Sequence, residues 1–530
     1  MTRLVPVLLL AALAVAGCGS SPSSDSSTSG AALPPGSVSY SGWHLDCSLS
    51  VYELAKNASW GQACEGRASH TQGQKQEIWL AVNPKDPDNV VIGAKDLNPE
   101  LSNHCVWNGL FVTHDGGKHW NDTSPSGTYA SRSMQSPFYG YACNTDPMGA
   151  FTADGKLHWV VEMYNLEGTN GYGPVADPNS GRGVFNPGWK LVLAESDDGG
   201  STWPEAKATT LEYGDGVAYL NDYSRITVNP QTQSAITMIN TYYPAAGVNT
   251  GLVTGTLPVG LPVGVGGVVC SILPYRGAAQ PAQPVPVQPT LITATANPGG
   301  VNCDAIAANK HGKVVVEARG APTPTGGGAT AAWFASSTDD GATFSDFKEG
   351  FSLRPQPGQF QESQYRTGTG FEMLYDNSNS THAGRLYTLS SERLGSDESD
   401  IVLHYSDDDG ATWHGPVRVN ADPEGSHQFE PNFAIAADGS LHAFWMDKSY
   451  DPAHKLIDVT HAVSTDGGLT WRQERVTSLS WDGDLGKHQE DFPFIGDYTG
   501  AGASGNTVWA GFPDTSNGST SVVSAIRVTK

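Results

Sequence analysis

Short stretches in which hydrophobic and polar residues alternate recur along the whole chain, and each predicts a β-strand. Two clear examples are residues 190–195 (KLVLAE) and 401–405 (IVLHY). No stretch sustains the periodicity of a helix. The segments between these stretches are rich in turn formers, since the 530 residues include 62 glycines and 34 prolines. The sequence therefore predicts an all-β chain with little helix.

An eight-residue pattern follows several of these strands. It reads Ser/Thr-x-Asp-x-Gly-x-x-aromatic and occurs five times, as THDGGKHW, SDDGGSTW, STDDGATF, SDDDGATW and STDGGLTW, beginning at Thr113, Ser196, Ser337, Ser406 and Ser464. In a hairpin turn the aspartate accepts hydrogen bonds from turn amides, the glycine two residues later allows a positive φ, and the aromatic residue anchors the returning strand. These roles are structural, so we expect none of the five aspartates to be catalytic.

A fainter repeat marks the beginnings of strands. An acidic residue precedes an apolar strand at seven places, here called the opener acids: Glu77, Asp146, Asp222, Asp304, Glu372, Glu430 and Asp491. Successive opener acids are farther apart than the about 40 to 50 residues of a minimal propeller repeat, so each repeat carries insertions. Length alone would suggest several domains, but the regular repetition predicts one closed array.

The five octapeptides are similar to Asp-boxes, and from about residue 70 to its end the chain resembles the sialidase-like β-propellers that carry this repeat, also called the BNR repeat. The resemblance implies radial four-stranded blades, with each Asp-box between the third and fourth strands, on the face opposite the active site. Sialidases have six blades, whereas the seven opener acids favour a single propeller of seven, with six as the alternative. Blades three and seven would lack an Asp-box, and residues 37–70 would supply an outer strand of the last blade.

The N-terminus has the features of a targeting segment. Arg3 precedes the apolar run 4–16, and Cys18 ends an Ala-Gly-Cys sequence. This resembles a bacterial lipoprotein signal, which implies cleavage before Cys18 and lipidation of its thiol; an ordinary secretory signal is the alternative. Residues 19–41 are rich in serine and predict a flexible tether, and 42–530 would form the propeller. We therefore expect an exported protein that is anchored to the membrane outside the cytoplasm.

Six cysteines remain after Cys18, and none is part of a CxxC pair. An even number in an oxidising compartment favours three disulfides over a zinc site. Fifteen pairings are possible, and we expect neighbours in sequence to pair: Cys47 with Cys64, Cys105 with Cys143, and Cys270 with Cys303.

The formal net charge of −24 bears on possible partners. Nucleic acid and anionic membrane surfaces would both be repelled, so we expect no nucleic-acid partner and membrane contact only through the lipid anchor. A solvated acidic exterior accounts for the charge without any specific ligand.

The candidate site residues lie at one face of the predicted propeller. The first strand of a propeller blade begins, and the second ends, at the same face, here called the top face. Second-strand ends carry further polar residues, among them Asp96. Because glycoside hydrolysis needs a pair of carboxylates, the catalytic candidates are Glu317, Glu392, Asp304 and Glu162. Because the resemblance to sialidases implies arginines and a tyrosine at the site, the substrate-binding candidates are Arg319, Arg393, Arg225 and Tyr242.

So many carboxylates around one axis must be protonated, paired with Arg319 or Arg393, or bound to a cation. No cofactor is required, but Ca²⁺ prefers six to eight oxygen ligands and is the natural cation. The candidate metal ligands are Asp146, Asp222, Asp304 and Asp491. Alternatively, each opener acid binds backbone amides of the neighbouring blade and fixes the register between blades.

These observations leave two hypotheses for function. The first is a lipid-anchored, exported glycoside hydrolase, similar to an exo-sialidase, whose partner is an extracellular carbohydrate or glycoconjugate. The second is a non-catalytic cell-envelope propeller that binds glycan or protein. The Arg-Ile-Pro motif of sialidases is missing, and Arg225-Ile226-Thr227 is the nearest sequence. The Gly- and Pro-rich segment 244–300 would be an insertion in blade three that emerges on the top face as a lid or a partner contact.

Overall fold

The computed structural model describes residues 39–46, 65–69, 73–97, 106–125, 137–138, 141, 143–164, 175–176, 184–185, 189–213, 220–243, 267–275, 290–292, 302–320, 331–368, 370–395, 399–422, 425–486, 493–518 and 521–530. Residues 33–530 form one compact unit. The signal segment, Cys18 and most of the tether lie outside the described residues, so lipidation and export stay predictions. Within the described residues, no helix has the length and apolar character needed to cross a membrane.

Almost all regular structure in the described residues is β-strand. Three short strands come first: β1 (Ser39–Tyr40), β2 (Trp43–Leu45) and β3 (Gly66–Arg67). The first three blades comprise β4 (Lys75–Asn83), β5 (Asp86–Asp96), β6 (Trp107–Thr113) and β7 (Asn121–Asp122); β8 (Cys143–Phe151), β9 (Leu157–Tyr164), β12 (Trp189–Ser196) and β13 (Ala208–Tyr213); and β14 (Leu220–Val228), β15 (Ala235–Tyr243), β16 (Gly267–Tyr275) and β17 (Thr290–Ile292). A separate hairpin pairs β10 (Val175–Ala176) with β11 (Val184–Phe185).

The next three blades have the same order. They comprise β18 (Asn302–Ala308), β19 (Val314–Gly320), β20 (Ala331–Ser337) and β21 (Lys348–Ser352); β22 (Glu372–Tyr375), β23 (Leu386–Glu392), β24 (Asp400–Ser406) and β25 (His414–Arg418); and β26 (Gln428–Ile435), β27 (Leu441–Asp447), β28 (Asp458–Ser464) and β29 (Arg472–Arg475). Blade seven contributes β30 (Gly500–Ser504), β31 (Thr507–Asp514) and β32 (Val522–Thr529). Two 3-10 helices, Glu205–Lys207 and Gly483–Leu485, are the helical segments of the described chain.

N-terminal strands complete blade seven. The sheet order is β1-β2-β32-β31-β30, and β2 pairs antiparallel with β32 through His44 with Thr529 and Leu45 with Val528. Strand β3 pairs with β32 as well. The predictions of seven four-stranded blades and of an N-terminal outer strand are both confirmed. The ring is closed because β2, near the start of the described residues, and β32, the last strand, share one sheet.

The core lies between blades, and each strand alternates between two neighbours. In β5, Val91 packs with Trp159 of blade two, whereas Ile92 packs with Trp509 of blade seven. Since successive strand residues point to opposite faces, both faces of a blade must be apolar. This accounts for the fully buried inner strand of blade one and for the buried central part of its second strand.

First strands carry a bulge at most opener acids. Pairing with the second strand shifts register there in five blades. Glu77, Asp146 and Glu430 have φ of 52°, 50° and 49°, which is uncommon for residues other than glycine. Asp146 accepts a hydrogen bond from the Tyr223 amide of the next blade at 3.2 Å, and Glu430 accepts one from the Gly368 amide at 3.3 Å. These two opener acids therefore bind backbone amides outside their own blade, as expected if they fix the register between blades.

The octapeptide turns connect third and fourth strands in blades one, two, four, five and six. In blade five, the Ser406 hydroxyl donates to Asp408 at 2.8 Å and accepts from the Gly410 amide at 2.8 Å. Asp408 also accepts the amide and hydroxyl of Thr412, both at 2.7 Å. Gly410 has a φ of 85°, as its place in the turn predicts. The turns are therefore held by hydrogen bonds internal to the octapeptide.

Replacing Asp466 by Ala should lower the free energy of unfolding by about 1–2 kcal/mol. Its carboxylate accepts the amides of Leu469 and Thr470 and the hydroxyl of Thr470, at 2.6 to 3.1 Å. Leu469→Ala is the matched control, because that side chain is 53% exposed and its amide is retained. Equal denaturant midpoints for the two variants would contradict this account of the turn.

The described chain contains the predicted disulfide between Cys270 of β16 and Cys303 of β18. Cys143 is also disulfide-bonded. The other two predicted pairings involve Cys47, Cys64 and Cys105, which lie outside the described residues. Strands β16 and β17 fall within residues 244–300, so part of that segment forms the outer half of blade three.

Candidate functional site

A polar cavity of about 270 Å³ lies at the top end of the inner strands. It is lined by Asp222, Tyr223, Asn240, Asn302, Asp304, Arg319, Gly368, Gly370 and Asp497. These residues come from blades three and four and from the segments that precede blades five and seven. The cavity, here called the mouth cavity, therefore joins parts of the chain that are far apart in sequence.

The structure brings two of the sequence-predicted residues into direct contact. Arg319 Nε and Nη2 donate to the two carboxylate oxygens of Asp304 at 2.6 and 2.7 Å. Burial acts to lower the pKa of Arg319, but the Asp304 carboxylate outweighs it and the pKa is raised. The pair is thus a fixed, bidentate ion pair at the wall of the cavity.

Three further residues that were predicted from the sequence, all of them acidic, lie close to one another. Carboxylate oxygens of Asp146, Glu162 and Asp222 lie within 4.8 Å of one another. Burial, followed by the charge of Asp146, raises the pKa of Asp222 to about 7, and the same causes raise that of Glu162. Glu162 also accepts the Ser224 amide at 2.7 Å. Of the three, Asp222 lines the mouth cavity.

Asp146 differs from its two neighbours because a lysine contacts it. Lys95 Nζ lies 2.9 Å from Asp146 and also contacts Glu77. Burial alone would raise the pKa of Asp146, but the Lys95 ammonium and the Thr145 hydroxyl, which donates at 2.7 Å, hold it below its usual range. Adjacent carboxyl groups are therefore driven to different protonation states.

Sequence reasoning missed Lys95 and selected its neighbour Asp96. Asp96 instead forms a buried ion pair with Lys75 at 2.8 Å, and both side chains are inaccessible to solvent. Alternation along β5 places the two residues on opposite faces. Tyr223, Tyr498 and Asp497 were also missed, although Tyr223 directly follows the opener acid Asp222.

Asp146, Glu162 and Asp222 could hold a cation by their spacing. Lys95 already supplies a positive charge to Asp146 at 2.9 Å, so a divalent ion would meet repulsion there. Of the other predicted metal ligands, Asp304 is paired with Arg319, and Asp491 lies outside the described residues. Calcium binding stays a prediction.

Arg225 lies below the mouth cavity, in the central channel. Its side chain is sandwiched between aromatic rings, with Cζ 3.6 Å from the Tyr223 centroid and 4.7 Å from that of Tyr498. Nη1 donates to the Ser224 carbonyl at 3.0 Å, whereas Nε and Nη2 are buried without partners. Cation–π contacts contribute about 0.5–2 kcal/mol each, less than the several kcal/mol that burial of a charge costs.

The remaining predicted residues do not line the mouth cavity. Glu317 is fully buried, and burial together with the charge of Asp304 raises its pKa. Glu392 is buried and accepts the Arg354 amide at 3.2 Å, and burial raises its pKa to about 6. Arg393 is exposed. The backbone of Tyr242 pairs with Leu220 in blade three, and its side chain is outside the described part of the structure.

A second arginine pair closes the mouth on the side of blade seven. Arg366 Nε donates to Asp497 at 2.7 Å, and Nη2 contacts the other carboxylate oxygen. The Arg366 side chain is 62% exposed and lies 4.7 Å over the Phe494 ring. Both arginines at the mouth therefore already have a carboxylate partner.

Comparison with known proteins gives similarity to propeller structures only at low identity. No family model matches the chain, and no curated protein matches it. Among solved structures, a protein of unknown function from Dyadobacter fermentans is 11% identical, with a TM-score of 0.41, over 88% of this chain and 97% of that one. A Hadza microbial sialidase is 11% identical, with a TM-score of 0.41, over 87% of this chain and 66% of that one. An ulvan lyase is 9% identical, with a TM-score of 0.44, over 87% and 94%.

Proposed function

We propose that the mouth cavity is the active site of an exported glycoside hydrolase that cleaves an uncharged sugar residue from a glycan. One observation carries this proposal: two carboxylates from adjacent blades, Asp222 and Asp304, line the same cavity in different environments. Asp304 is held by Arg319, whereas Asp222 forms no ion pair within the described residues. A volume of about 270 Å³ is near the lower end of small-molecule sites, which suits one terminal sugar.

The two carboxyl groups fit complementary steps of glycoside cleavage. In the proposed reaction Asp222, in its protonated form, donates its proton to the glycosidic oxygen as the bond to the anomeric carbon breaks. The Asp304 carboxylate faces the positive charge that develops on the sugar, and Arg319 fixes its orientation through two hydrogen bonds. Water then adds to the anomeric carbon and gives a proton to the Asp222 carboxylate, which restores its protonated form. Tyr223 offers an aromatic surface at the wall of the cavity.

An acidic sugar such as a sialoside fits the cavity less well. Recognition of its carboxylate would need an arginine whose donors are available. Arg319 and Arg366 donate to Asp304 and Asp497, and Arg225 lies below Tyr223 rather than in the cavity wall. We therefore favour an uncharged substrate over the exo-sialidase activity expected from the sequence.

Replacing Asp222 by Asn should reduce kcat/KM by at least about 100-fold, because the amide cannot donate the catalytic proton. The assay is hydrolysis of a panel of chromogenic glycosides, including a sialoside, by the full chain. Since the active form of Asp222 is protonated, the wild-type rate should be retained below about pH 7 and lost as the pH rises above it. This alkaline limb should disappear in the variant.

Asp154→Asn is the matched control, because Asp154 is exposed in the turn between β8 and β9 at the opposite end of the propeller. It should leave the rate unchanged. Equal rates for Asp222→Asn and Asp154→Asn would remove Asp222 from the reaction. Absence of turnover on every glycoside, together with stabilisation by Ca²⁺, would favour the non-catalytic binding propeller, since Asp146, Glu162 and Asp222 have the spacing of a cation site.

A further inference from the structure

The central channel contains a second cavity, of about 290 Å³, that the proposed reaction does not use. Its wall is formed by the inner strands and combines polar groups with apolar side chains, Met148, Ile306 and Phe433 among them. Arg225, Glu372 and Tyr498 are the ionisable residues that line it. A buried arginine in such a channel needs a source of negative charge or of hydrogen-bond acceptors.

Arg225 has neither a complete set of acceptors nor an ion pair. The residue is 6% exposed, and its Nε and Nη2 atoms have no hydrogen-bond partner. No carboxylate oxygen of the described residues lies within 4.0 Å of its guanidinium nitrogens. Unlike a buried carboxyl group, an arginine does not become neutral by exchanging a proton with water in a protein. Burial acts to lower the pKa of Arg225, and Tyr223 and Glu372 offset this, but Nε and Nη2 still have no acceptor among the described residues.

The Tyr498 hydroxyl is a second buried donor without a hydrogen-bond partner. The Tyr498 residue is 3% exposed, and its hydroxyl makes no hydrogen bond. Burial raises the pKa of Tyr498, so at neutral pH the hydroxyl keeps its proton and is a donor. The Arg225 Cζ atom is 4.7 Å from the Tyr498 ring centroid, and both residues line the channel cavity.

We propose that the channel cavity binds a small monoanion, such as chloride or formate, between the Arg225 guanidinium and the Tyr498 hydroxyl. A single guanidinium balances one negative charge, so a dianion such as sulfate is disfavoured. Glu372 also lines the cavity, and burial raises the pKa of its carboxyl group to about 7, which weakens its competition for Arg225. This site is separate from the proposed hydrolase activity and does not depend on it.

The bound anion would also support the floor of the mouth cavity. The Arg225 Cζ atom lies 3.6 Å from the centroid of Tyr223, a residue of the mouth cavity wall. Fixing the guanidinium fixes the surface on which that ring rests. An anion in the channel is therefore expected to restrict Tyr223 as well as to balance the charge of Arg225.

Thermal unfolding of the full chain in chloride and in gluconate, at constant ionic strength, tests this site. Chloride, bromide and formate should each raise Tm saturably, by about 1–3 °C over gluconate, and sulfate should not. Arg225→Met should abolish the increase, and Tyr498→Phe, which removes a single oxygen, should shift its midpoint to higher anion concentration. Arg366→Met is the control, because Arg366 pairs with Asp497 outside the channel, and it should keep the wild-type response.

Anomalous scattering from crystals grown in bromide gives an independent readout, with a peak expected beside Arg225 and Tyr498. If Arg225→Met does not fold, the Tyr498→Phe titration and the bromide peak decide the matter. Equal Tm values in chloride and gluconate at every concentration would overturn the proposal. So would an unchanged chloride midpoint in Tyr498→Phe, or bromide-containing crystals with no peak in the channel.

Discussion

The Lys95→Met variant should lose about 3–5 kcal/mol of unfolding free energy at pH 7, as expected when one partner of a buried ion pair is removed. Lys95 contacts Glu77 and, at 2.9 Å, Asp146, and these two carboxylates are only 3% exposed. Methionine preserves most of the volume but leaves the Asp146 carboxylate without a cation, whereas burial holds the pKa of Glu77 well above its ordinary value. Denaturant unfolding monitored by tryptophan fluorescence would measure the loss.

The pH dependence separates this electrostatic effect from a packing defect. The pKa of Asp146 in the folded protein lies below its unfolded value of 3.8, so the ion pair stabilises the fold above about pH 4 and its contribution is lost as the pH falls. The difference between Lys95→Met and wild type should therefore be largest at neutral pH and narrow in acid. Adding Asp146→Asn to the variant should restore part of the stability at pH 7.

Lys85→Met is the matched control, because Lys85 is exposed in the turn that follows β4. It should change the unfolding free energy by less than about 0.5 kcal/mol. If Lys95→Met were as stable as this control at pH 7, the carboxyl groups around Lys95 would have to be neutral already. Asp146 would then not differ in protonation state from its neighbours.

The architecture could be predicted because its signals are local and repeated. Each octapeptide turn contains its own hydrogen-bonding partners, so residues 406–412 specify a hairpin turn without help from other blades. The opener acids predicted the number of blades for a similar reason, since six of the seven lie within the first four residues of an inner strand. Asp491 is the exception, because it lies outside the described residues and the inner strand of blade seven begins at Gly500. The closure of the ring was also predicted, since residues 37–70 were assigned to an outer strand of the last blade and β2 pairs with β32 there.

The site was harder to predict because bulges shift which residues face the centre. In blade four, Asp304 is the extra residue of the bulge, and it meets Arg319 from the next strand as expected. In blade one, Lys95 rather than Asp96 reaches the central carboxylates. A shift of one residue exchanges the two faces of a strand, and no feature of the sequence alone fixes where the bulge lies.

The surroundings of residues whose neighbours come from distant blades could not be predicted from the sequence. Arg225 and Tyr498 belong to blade three and to the segment before blade seven, and they meet only because the ring closes. Glu392 is a similar case. Its position at the end of a second strand predicted that it would line the mouth cavity, but it is buried and accepts a hydrogen bond from the amide of Arg354, which follows blade four. Burial by a neighbouring blade, rather than position along the strand, decides which carboxylates are accessible.

Replacing Trp43 by Ala should lower the free energy of unfolding by about 3–5 kcal/mol, as for other fully buried large aromatic residues. Trp43 is 2% exposed and belongs to the apolar cluster between blades six and seven, where its ring lies 4.3 Å from that of His442. It also sits on β2, the strand that joins the N-terminal end of the chain to β32. Its loss therefore removes core packing and weakens closure of the ring at one point.

This second effect has its own measurement. Strand β2 contributes only two pairs of residues to β32, so its attachment rests mainly on the side chains of Trp43 and Leu45, which are both 2% exposed. Hydrogen exchange should show faster exchange of β32 amides in Trp43→Ala, while the amides of β23, in blade five, keep their protection. His44→Ala is the matched control, because His44 is the exposed residue between these two anchors and its ring makes only one exposed hydrogen bond to β32, with Thr529 at 3.2 Å. Uniformly faster exchange in every blade would mean that Trp43 stabilises the propeller only as a whole and that β2 is not a separate closing strand.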